Sequence, residues 1–483
     1  MRSAWPLLFA RDDEPMEGQR LTPEEKALRM NQDALVYGTF AEIGAGQEVV
    51  RWFFQVGGAS GTVAKTISAY DMVVSDAIYG RTERYVSRKR LEAMLVYEYE
   101  LLLERLGPLR GEQTAFFVFA DTAASHSRAR KSNGHAWQGV MFQTAPRAEP
   151  SQIIIHVTTH DTDRQREREA IGLVGVNLLY GAVYRHSDPE GLLLSLFDNL
   201  SRERIEIDMI KFSGPAFSGV DNRLMCLQLI EHAFTDTALF NAQGEVVQPA
   251  EVLYQRPILV ERGRFRPVNL LTMDLLEKGL DQFRAEPELV GEEPIVLMEL
   301  TLRDLHPTQG IDKQDFLDRV DVLGILGKTV LISNHGPYYG LVDDFLRYTQ
   351  KKVGIALGVP ALLDILDDKH YEGLRGGTLE AIGRLFADNV RMYVYPRWDE
   401  AAGRLITAET VEVPKRVRHL YEHLLENRYV VPIERTNVAY RGIDSDQVLR
   451  QIQSGGSDWC SQVPPGVAEE IQQKHLFGWT PRS

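Results

Sequence analysis

Short apolar runs alternate with longer amphipathic stretches along most of this chain, a pattern typical of strands separated by helices. In the first half the apolar run Val49–Val56 predicts a strand, although so short a run also fits a helix. The remaining pattern there predicts strands over Thr114–Ala120 and Ile153–Thr158, and helices over Thr66–Ile78, Thr82–Leu106 and Asn222–Phe234.

Beyond about residue 292 the alternation becomes more regular. It predicts strands over Thr329–Ser333, Val353–Leu357 and Arg391–Tyr395, and helices over Tyr339–Thr349, from Ala361 and over Lys415–Asn427. Strands separated by helices of this length form parallel sheets with right-handed crossovers. The sequence therefore predicts an α/β protein with two domains, a mixed N-terminal α/β unit and a smaller C-terminal parallel-sheet unit.

Boundaries between these parts follow from composition. An acidic, proline-containing stretch, FRAEPELVGEEP, ends near residue 294 and suits a domain junction. We therefore predict a flexible extension over 1–27, an N-terminal domain over 28–291, a C-terminal domain over 292–442 and a tail without clear periodicity over 443–483.

Composition narrows the class of protein. The 483 residues carry a formal charge of −14, which argues against a nucleic-acid binder because such proteins present a basic face. Two cysteines far apart in sequence favour a reduced compartment over a disulfide scaffold. The apolar run near the start is too short to span a bilayer, so we expect a cytoplasmic protein with no membrane partner.

The densest group of small residues is the loop VGGASGTVAKT at residues 56–66. Small residues between a strand and a helix let backbone N–H groups approach a phosphate. Ala59 and Ala64 occupy the positions at which a Walker A loop has glycines, and a tight turn packing helix on strand is the alternative. The substrate-binding residues predicted here are Gly57, Gly58, Ser60, Gly61, Thr62 and Thr66, with Lys65 as a catalytic residue.

Arginines follow this loop. On the predicted helix, Arg81, Arg84 and Arg88 would share one face and could bind a phosphate or carboxylate in bidentate fashion. The alternative is a solvated face paired with Glu83 and Glu92.

A long polar loop, residues 121–139, follows the predicted strand TAFFVFA. Ligands of open α/β sheets bind where strands end, so His126 is predicted as an acid or base and Arg128 and Arg130 as anion-binding residues. A plain surface loop is the alternative. His156 and His160 have a spacing that permits a metal site, and Ser333, Asn334 and His335 end another predicted strand.

The segment GTFAEIGAGQ is similar to the loop G-T-F-D-P-x-H-x-G-H of nicotinate-nucleotide adenylyltransferases. Gly38, Thr39, Phe40 and Gly46 match, whereas the two histidines fall on Gly44 and Gln47. Over residues 30–440, through AEIGAGQEV, AKTISAYDM, IKFSGPAFSGVDNRLM, QPAEVLYQRPILVERGRFRPV and RLFADNVRMYVYP, the chain resembles a bacterial family often labelled nicotinate- or nicotinamide-nucleotide adenylyltransferase. The resemblance implies a nucleotide substrate and brings no established mechanism.

These features predict a protein that binds a phosphorylated or nucleotide-like small molecule, with nucleotidyl or phosphoryl transfer as a candidate reaction. Mg²⁺ would accompany a bound nucleotide. The alternatives are a self-assembling, non-catalytic scaffold and a former enzyme that retains only ligand binding. Apolar stretches such as VVRWFF would then bury against another copy in a homo-oligomer.

Overall fold

The computed structural model describes residues 20–44, 47–126, 133–305, 310–386, 389–401 and 403–481. The chain divides into two compact units, Met1–Glu206 with Phe212–Val220, and Ile207–Lys211 with Asp221–Ser483. Helices and sheets alternate in both, so the α/β prediction is confirmed.

A six-stranded sheet in the order β2-β1-β3-β4-β5-β6 organises the first part of the chain. Strands β1, β2 and β3 run parallel, and β4 is antiparallel to both β3 and β5. The strands are β1 Val36–Ile43, β2 Val63–Ile67, β3 Ala115–Ala124, β4 His135–Phe142, β5 Ser151–Thr159 and β6 Ile205–Ser213. The helices are α1 Pro23–Gln32, α2 Glu48–Gln55, α3 Met72–Tyr79, α4 Arg88–Arg110, α5 Arg164–Tyr184 and α6 Pro189–Ser195.

The predicted strand Val49–Val56 is wrong, because this run forms α2. Val49, Val50 and Phe53 are buried at helical spacing, and the Phe53 ring lies 5.0 Å from that of Phe40 in β1. The Glu42 carboxylate, at the end of β1, accepts hydrogen bonds from the Val49 and Val50 N–H groups at 2.7 and 3.2 Å. Acceptor oxygens at this position satisfy N–H groups that have no partner within the first turn of a helix.

The predicted helix Thr66–Ile78 is also wrong, since its first residues complete β2 and only Met72–Tyr79 is helical. Asp71 begins α3 by accepting hydrogen bonds from the Val73 and Val74 N–H groups. The next predicted helix is confirmed in part: α4 begins at Arg88, where Ser87 caps it, rather than at Thr82.

The second unit contains an eight-stranded sheet in the order β16-β13-β12-β9-β10-β11-β7-β8. Neighbours from β16 to β11 are parallel, and β7 and β8 add antiparallel strands. Its strands are β7 Thr237–Phe240, β8 Val246–Val247, β9 Ile258–Arg262, β10 Ile295–Thr301, β11 Thr329–Ser333, β12 Val353–Gly358, β13 Val390–Tyr395 and β16 Val430–Pro432; a separate pair is β14 Arg397–Asp399 with β15 Arg404–Ile406.

Helices lie between most of these strands, because neighbouring parallel strands need a crossover connection, and two further helices follow the last strand. They are α7 Asn222–Glu231, α8 Pro249–Leu253, α9 Leu270–Arg284, α10 Leu302–Leu305, α11 Lys313–Ile325, α12 Tyr338–Leu346, α13 Val359–Ile365, α14 Gly377–Leu385, α15 Arg418–Glu426, α16 Ser445–Gln453 and α17 Val467–Lys474.

The predicted junction near residue 292 lies inside this unit. Strands β7, β8 and β9 precede it in sequence yet belong to the eight-stranded sheet, and the acidic stretch only connects α9 to β10. A surface connection between helix and strand needs polar, turn-forming residues as much as a domain junction does. The unit is therefore longer than the predicted 292–442.

The predicted tail is folded. It contains α16 and α17, whose buried residues include Val448, Ile452 and Ile471, and between these helices Trp459 is fully buried. Each helix has only eight or nine residues, so its apolar face spans too few turns to stand out as a periodic pattern in sequence.

Candidate functional site

The glycine loop lacks the strand-loop-helix geometry that suggested phosphate binding. It follows helix α2 and leads into strand β2, with Gly57 and Gly58 at φ of 80° and 75°. Its groups are used for packing: Thr62 Oγ1 donates to the Met30 carbonyl at 3.0 Å, and the Gly57 carbonyl accepts from Asn31 Nδ2 at 2.7 Å. The tight-turn alternative therefore describes the backbone here.

The remaining loop residues are either exposed to solvent or bonded to a different part of the chain. Gly58, Ser60 and Gly61 are exposed, and Thr66 accepts a hydrogen bond from Gln47 Nε2 at 2.7 Å. The segment from Gly57 to Thr66 contains a single 3-10 turn, Ala59–Gly61, and no α-helix starts within it, so its N–H groups are not gathered at the N-terminus of an α-helix.

Lys65 lies in the middle of β2 and forms an ion pair with Glu98 of α4. Glu98 is buried and also accepts a hydrogen bond from the Tyr79 hydroxyl at 2.8 Å. Burial, and next the Glu98 charge, raise the pKa of Tyr79, so this hydroxyl remains a donor. Lys65 thus neutralises a buried carboxylate.

Lys65 and His126 do not share one catalytic centre. In the sheet, Lys65 of β2 lies opposite Thr39 of β1, and Thr39 in turn lies opposite Val118 of β3. From Val118 to the end of β3 at Ala124 the strand rises by roughly 20 Å, at about 3.3 Å per residue. His126 lies beyond that end, with its backbone N–H donating to Glu167 Oε1 at 2.9 Å.

The expectation that Arg81, Arg84 and Arg88 share a helix face is wrong. Only Arg88 belongs to α4, where it forms an ion pair with Glu92 at 2.8 Å; Arg81 and Arg84 precede the helix in an exposed segment. The buried arginine of this region is Arg90, which was not predicted. Arg128 and Arg130 lie outside the described residues.

The predicted sites also lie at different edges of the parallel strands. The glycine loop precedes β2 and so lies at the amino edge, where Gly38 and Val63 are paired. The arginine segment approaches the carboxyl edge, since Thr122 Oγ1 donates to the Tyr85 carbonyl at 2.7 Å near the end of β3. The two parts do not form one anion-binding cavity.

A buried pair of carboxyl groups lies at this carboxyl edge instead. Glu42 of β1 and Asp121 of β3 are direct cross-strand partners. Burial raises the pKa of Glu42 to about 8, although the two N–H donors of α2 act to lower it. Burial and then the charge of Glu42 raise the pKa of Asp121 well above its ordinary value. Both effects favour the protonated form of Asp121 in the fold.

The two histidines considered for a metal have different neighbours. Nε2 of His156 lies 3.1 Å from Nδ1 of His135, whereas Nε2 of His160 lies 3.7 Å from a Glu206 carboxylate oxygen. In the part of the chain that the structure describes, no three His, Cys, Asp or Glu residues are grouped so as to hold a metal ion.

In the sheet of the second unit, the order of the strands reverses direction. From β9 the chain continues to β10 and then β11 on one side, while β12, β13 and β16 extend on the other side of β9. The direction of winding therefore reverses between β9 and β12. In open α/β sheets, ligands bind in the crevice outside the carboxyl ends of the strands at such a reversal.

A cavity of about 210 Å³ lies at the carboxyl end of β9. The segment that leaves the strand, residues 261–267, forms one side of it, and α9 and α16 contribute the rest. Its lining residues are Glu261, Arg262, Gly263, Arg264, Phe265, Arg266, Pro267, Thr272, Ser445, Asp446 and Leu449.

The first arginine of this segment is held by a buried network. Arg262 Nε and Nη2 donate to the two carboxylate oxygens of Glu299, both at 2.9 Å, and Ser333 Oγ donates to Glu299 at 2.6 Å. Arg262 also lies over the Tyr338 ring, 4.1 Å from its centroid. Burial acts to lower the pKa of Arg262, but the charge and hydrogen bonds of Glu299, together with smaller contributions from nearby groups, outweigh burial and raise the pKa. The Arg262 side chain is therefore charged and held in place at one side of the cavity.

The other two arginines are more accessible. Arg266 pairs with Asp315, and Arg264 Nη2 lies 2.9 Å from Asp446 Oδ1 with both side chains more than half exposed. Between them Phe265 is buried at a φ of 45°. A bulky residue in this conformation is uncommon and marks a backbone held in place by its surroundings.

Gly263 belongs to the same arrangement, because an added Cβ would lie 2.7 Å from the Phe265 ring. The turn after β9 is therefore shaped so that three arginines surround a small cavity. The sequence pattern that could have found it is ERGRFRP directly after the apolar run PILV.

His335, just after β11, is paired with an aspartate of a neighbouring helix. Its Nε2 lies 3.2 Å from Asp344 Oδ2 on α12. Burial acts to lower the pKa of His335, but the hydrogen bond and charge of Asp344 outweigh this effect and raise it.

No protein-family model and no curated protein matches the chain. Among solved structures it is similar to the competence/damage inducible protein CihA from Agrobacterium tumefaciens, at 19% identity over 32% of this chain and 93% of that one, with a TM-score of 0.25. A competence-damaged protein (CinA) superfamily protein from Enterobacter cloacae matches at 12% identity over 35% and 97%, with a TM-score of 0.26. Likenesses of this strength do not bear on what the chain binds.

Helices long and apolar enough to cross a membrane do not occur among the described residues.

Proposed function

We propose that this chain binds a small phosphate-bearing molecule, nucleotide-like or smaller, in the crevice at the carboxyl end of β9. The observation that carries the proposal is the arginine-lined cavity at the carboxyl end of β9, one of the two strands between which the strand order reverses. Arginine binds phosphate in bidentate fashion, which fixes both charge and orientation.

Arg264 is the residue that the proposal assigns to the anion. Arg262 is committed to buried Glu299, and exchanging that carboxylate for a ligand would leave it unpaired. The pair of Arg264 with Asp446 is exposed on both sides and so contributes little to stability. A phosphate can therefore replace the Asp446 carboxylate at small cost.

Cavity size limits the ligand. Pockets for drug-sized molecules and cofactors have roughly 300–1,000 Å³, and the cavity after β9 has about 210 Å³. The turn also lacks a glycine-rich run with which a dinucleotide pyrophosphate would be bound. These features favour a monophosphate over a dinucleotide.

The test compares two arginines that flank the same strand. Arg264 follows β9 at its carboxyl end, and Arg256 precedes it at the amino end, where its Nη2 donates to the Glu293 carbonyl. We expect calorimetric titration with AMP and ribose 5-phosphate to show binding to the unchanged protein, weakened about 10-fold or more in Arg264→Gln and unchanged in Arg256→Gln. Equal affinities in both variants, or no binding of any phosphate ester to the unchanged protein, would contradict the proposal.

A further inference from the structure

Among the described residues, the buried carboxyl group of Glu261 forms no ion pair and no hydrogen bond that would hold it in the fold. It belongs to β9 and lines the cavity, yet only 4% of the residue is exposed. Its cross-strand partners are Met298 of β10 and Ala356 of β12, which offer it no hydrogen bond. Its Oε2 has no hydrogen-bond partner in the part of the chain that the structure describes.

Such a group is costly. A buried polar atom without a partner destabilises a protein by about 1–3 kcal/mol, and a methionine or leucine would fill the same place between Met298 and Ala356. An unsatisfied buried group in a cavity is accounted for when a ligand supplies the missing hydrogen bond.

We infer that Glu261 is a specificity-determining residue that hydrogen-bonds hydroxyl groups of the ligand, so that the ligand class is a hydroxyl-bearing phosphate ester such as a sugar phosphate. This inference rests on the proposed function, since it describes the non-phosphate part of the same ligand. The phosphate would bind Arg264, and the hydroxyl-bearing part would reach the end of β9.

Charge favours hydroxyl groups over a cationic ligand group. Each of the three arginines that line the cavity is paired with a carboxylate, so apart from Glu261 itself the described lining residues leave no free carboxylate for a cationic ligand group. Burial raises the pKa of Glu261 well above its ordinary value, which favours the protonated, neutral form. A neutral carboxylic acid both donates and accepts, and a hydroxyl group does the same.

The experiment uses ligands that differ in hydroxyl groups and variants that differ in hydrogen bonding. Ribose 5-phosphate and methyl phosphate carry the same anion, and only the first carries hydroxyl groups. Glu261→Met removes the acid at similar volume, whereas Glu261→Gln keeps one donor and one acceptor. Circular dichroism with thermal melting checks each fold, and Glu261→Met is expected to melt no lower than the unchanged protein.

In calorimetric titrations we expect Glu261→Met to bind ribose 5-phosphate about 10-fold more weakly, with its affinity for methyl phosphate unchanged. Glu261→Gln should stay within about threefold for both ligands. If Glu261→Met lost the same affinity for both ligands, or lost none for either, the inference about Glu261 would be overturned. The proposed function would still stand in that case, provided that methyl phosphate binds in a way that depends on Arg264. If neither ligand binds the unchanged protein, both are overturned.

Discussion

Replacing Arg262 with methionine is expected to lower the free energy of unfolding of the second unit by about 3–5 kcal/mol. The substitution leaves Glu299, which is fully buried, without its bidentate partner, and among the described residues only the Ser333 hydroxyl remains to donate to it. An uncompensated buried charge is among the few changes that destabilise a protein this strongly. Urea denaturation followed by circular dichroism measures the loss.

Arg264→Met is the matched control, because it removes an arginine two residues away whose ion pair with Asp446 is exposed. We expect this control to cost less than about 1 kcal/mol. If the two variants were equally stable, Arg262 would not be committed to Glu299, and the assignment of the ligand phosphate to Arg264 rather than Arg262 would fail.

The second large effect concerns the carboxyl pair of the first sheet. An aspartate whose pKa is higher in the folded state than in the unfolded chain binds its proton more tightly when folded, so stability falls as pH rises above the unfolded value of about 3.9. Asp121 is such a group. We therefore expect Asp121→Asn to remove part of this fall and to be more stable than the unchanged protein at pH 8 by about 1–3 kcal/mol.

Asparagine suits this position because its carbonyl can still accept from the Ile43 N–H group, as Asp121 does at 3.2 Å. Thermal melts between pH 5 and pH 8 measure the effect, with Glu100→Gln, an exposed carboxylate of α4, as the control. The control should follow the unchanged protein at every pH. Parallel pH profiles for Asp121→Asn and the unchanged protein would show that Asp121 is ionised in the fold.

The α/β architecture of the second unit could be predicted because its strands are short, apolar and separated by helices. The predicted Thr329–Ser333 is β11, and the predicted Val353–Leu357 and Arg391–Tyr395 differ from β12 and β13 by one residue each. Strands buried on both faces read as continuous apolar runs, so their position is visible without knowledge of their neighbours.

The first sheet could be predicted less well, because distant residues decide its local structure. The run Val49–Val56 fits a strand or a helix, and the Glu42 carboxylate at its start favours the helix. Likewise, Lys65 reads as a phosphate-binding lysine only until Glu98, 33 residues further on, is known to hold it. Pairings of this kind are set by the fold and leave no local pattern.

The candidate site could not be predicted because it depends on strand order. ERGRFRP follows an apolar run in the sequence, but only the fold shows that β9 lies where the strand order reverses and that α9 and α16 complete a cavity at its end. Asp446 of α16, which also lines the cavity, lies 182 residues after Arg264, in a part predicted to be a tail.

Hydrogen–deuterium exchange with and without ribose 5-phosphate tests the central claim most directly, because it locates the ligand without any substitution. Bound ligand should slow exchange in residues 261–267 and 445–449, which line the cavity after β9, and leave residues 57–66 unchanged. Protection confined to residues 57–66, or to any region other than the cavity, would contradict the account.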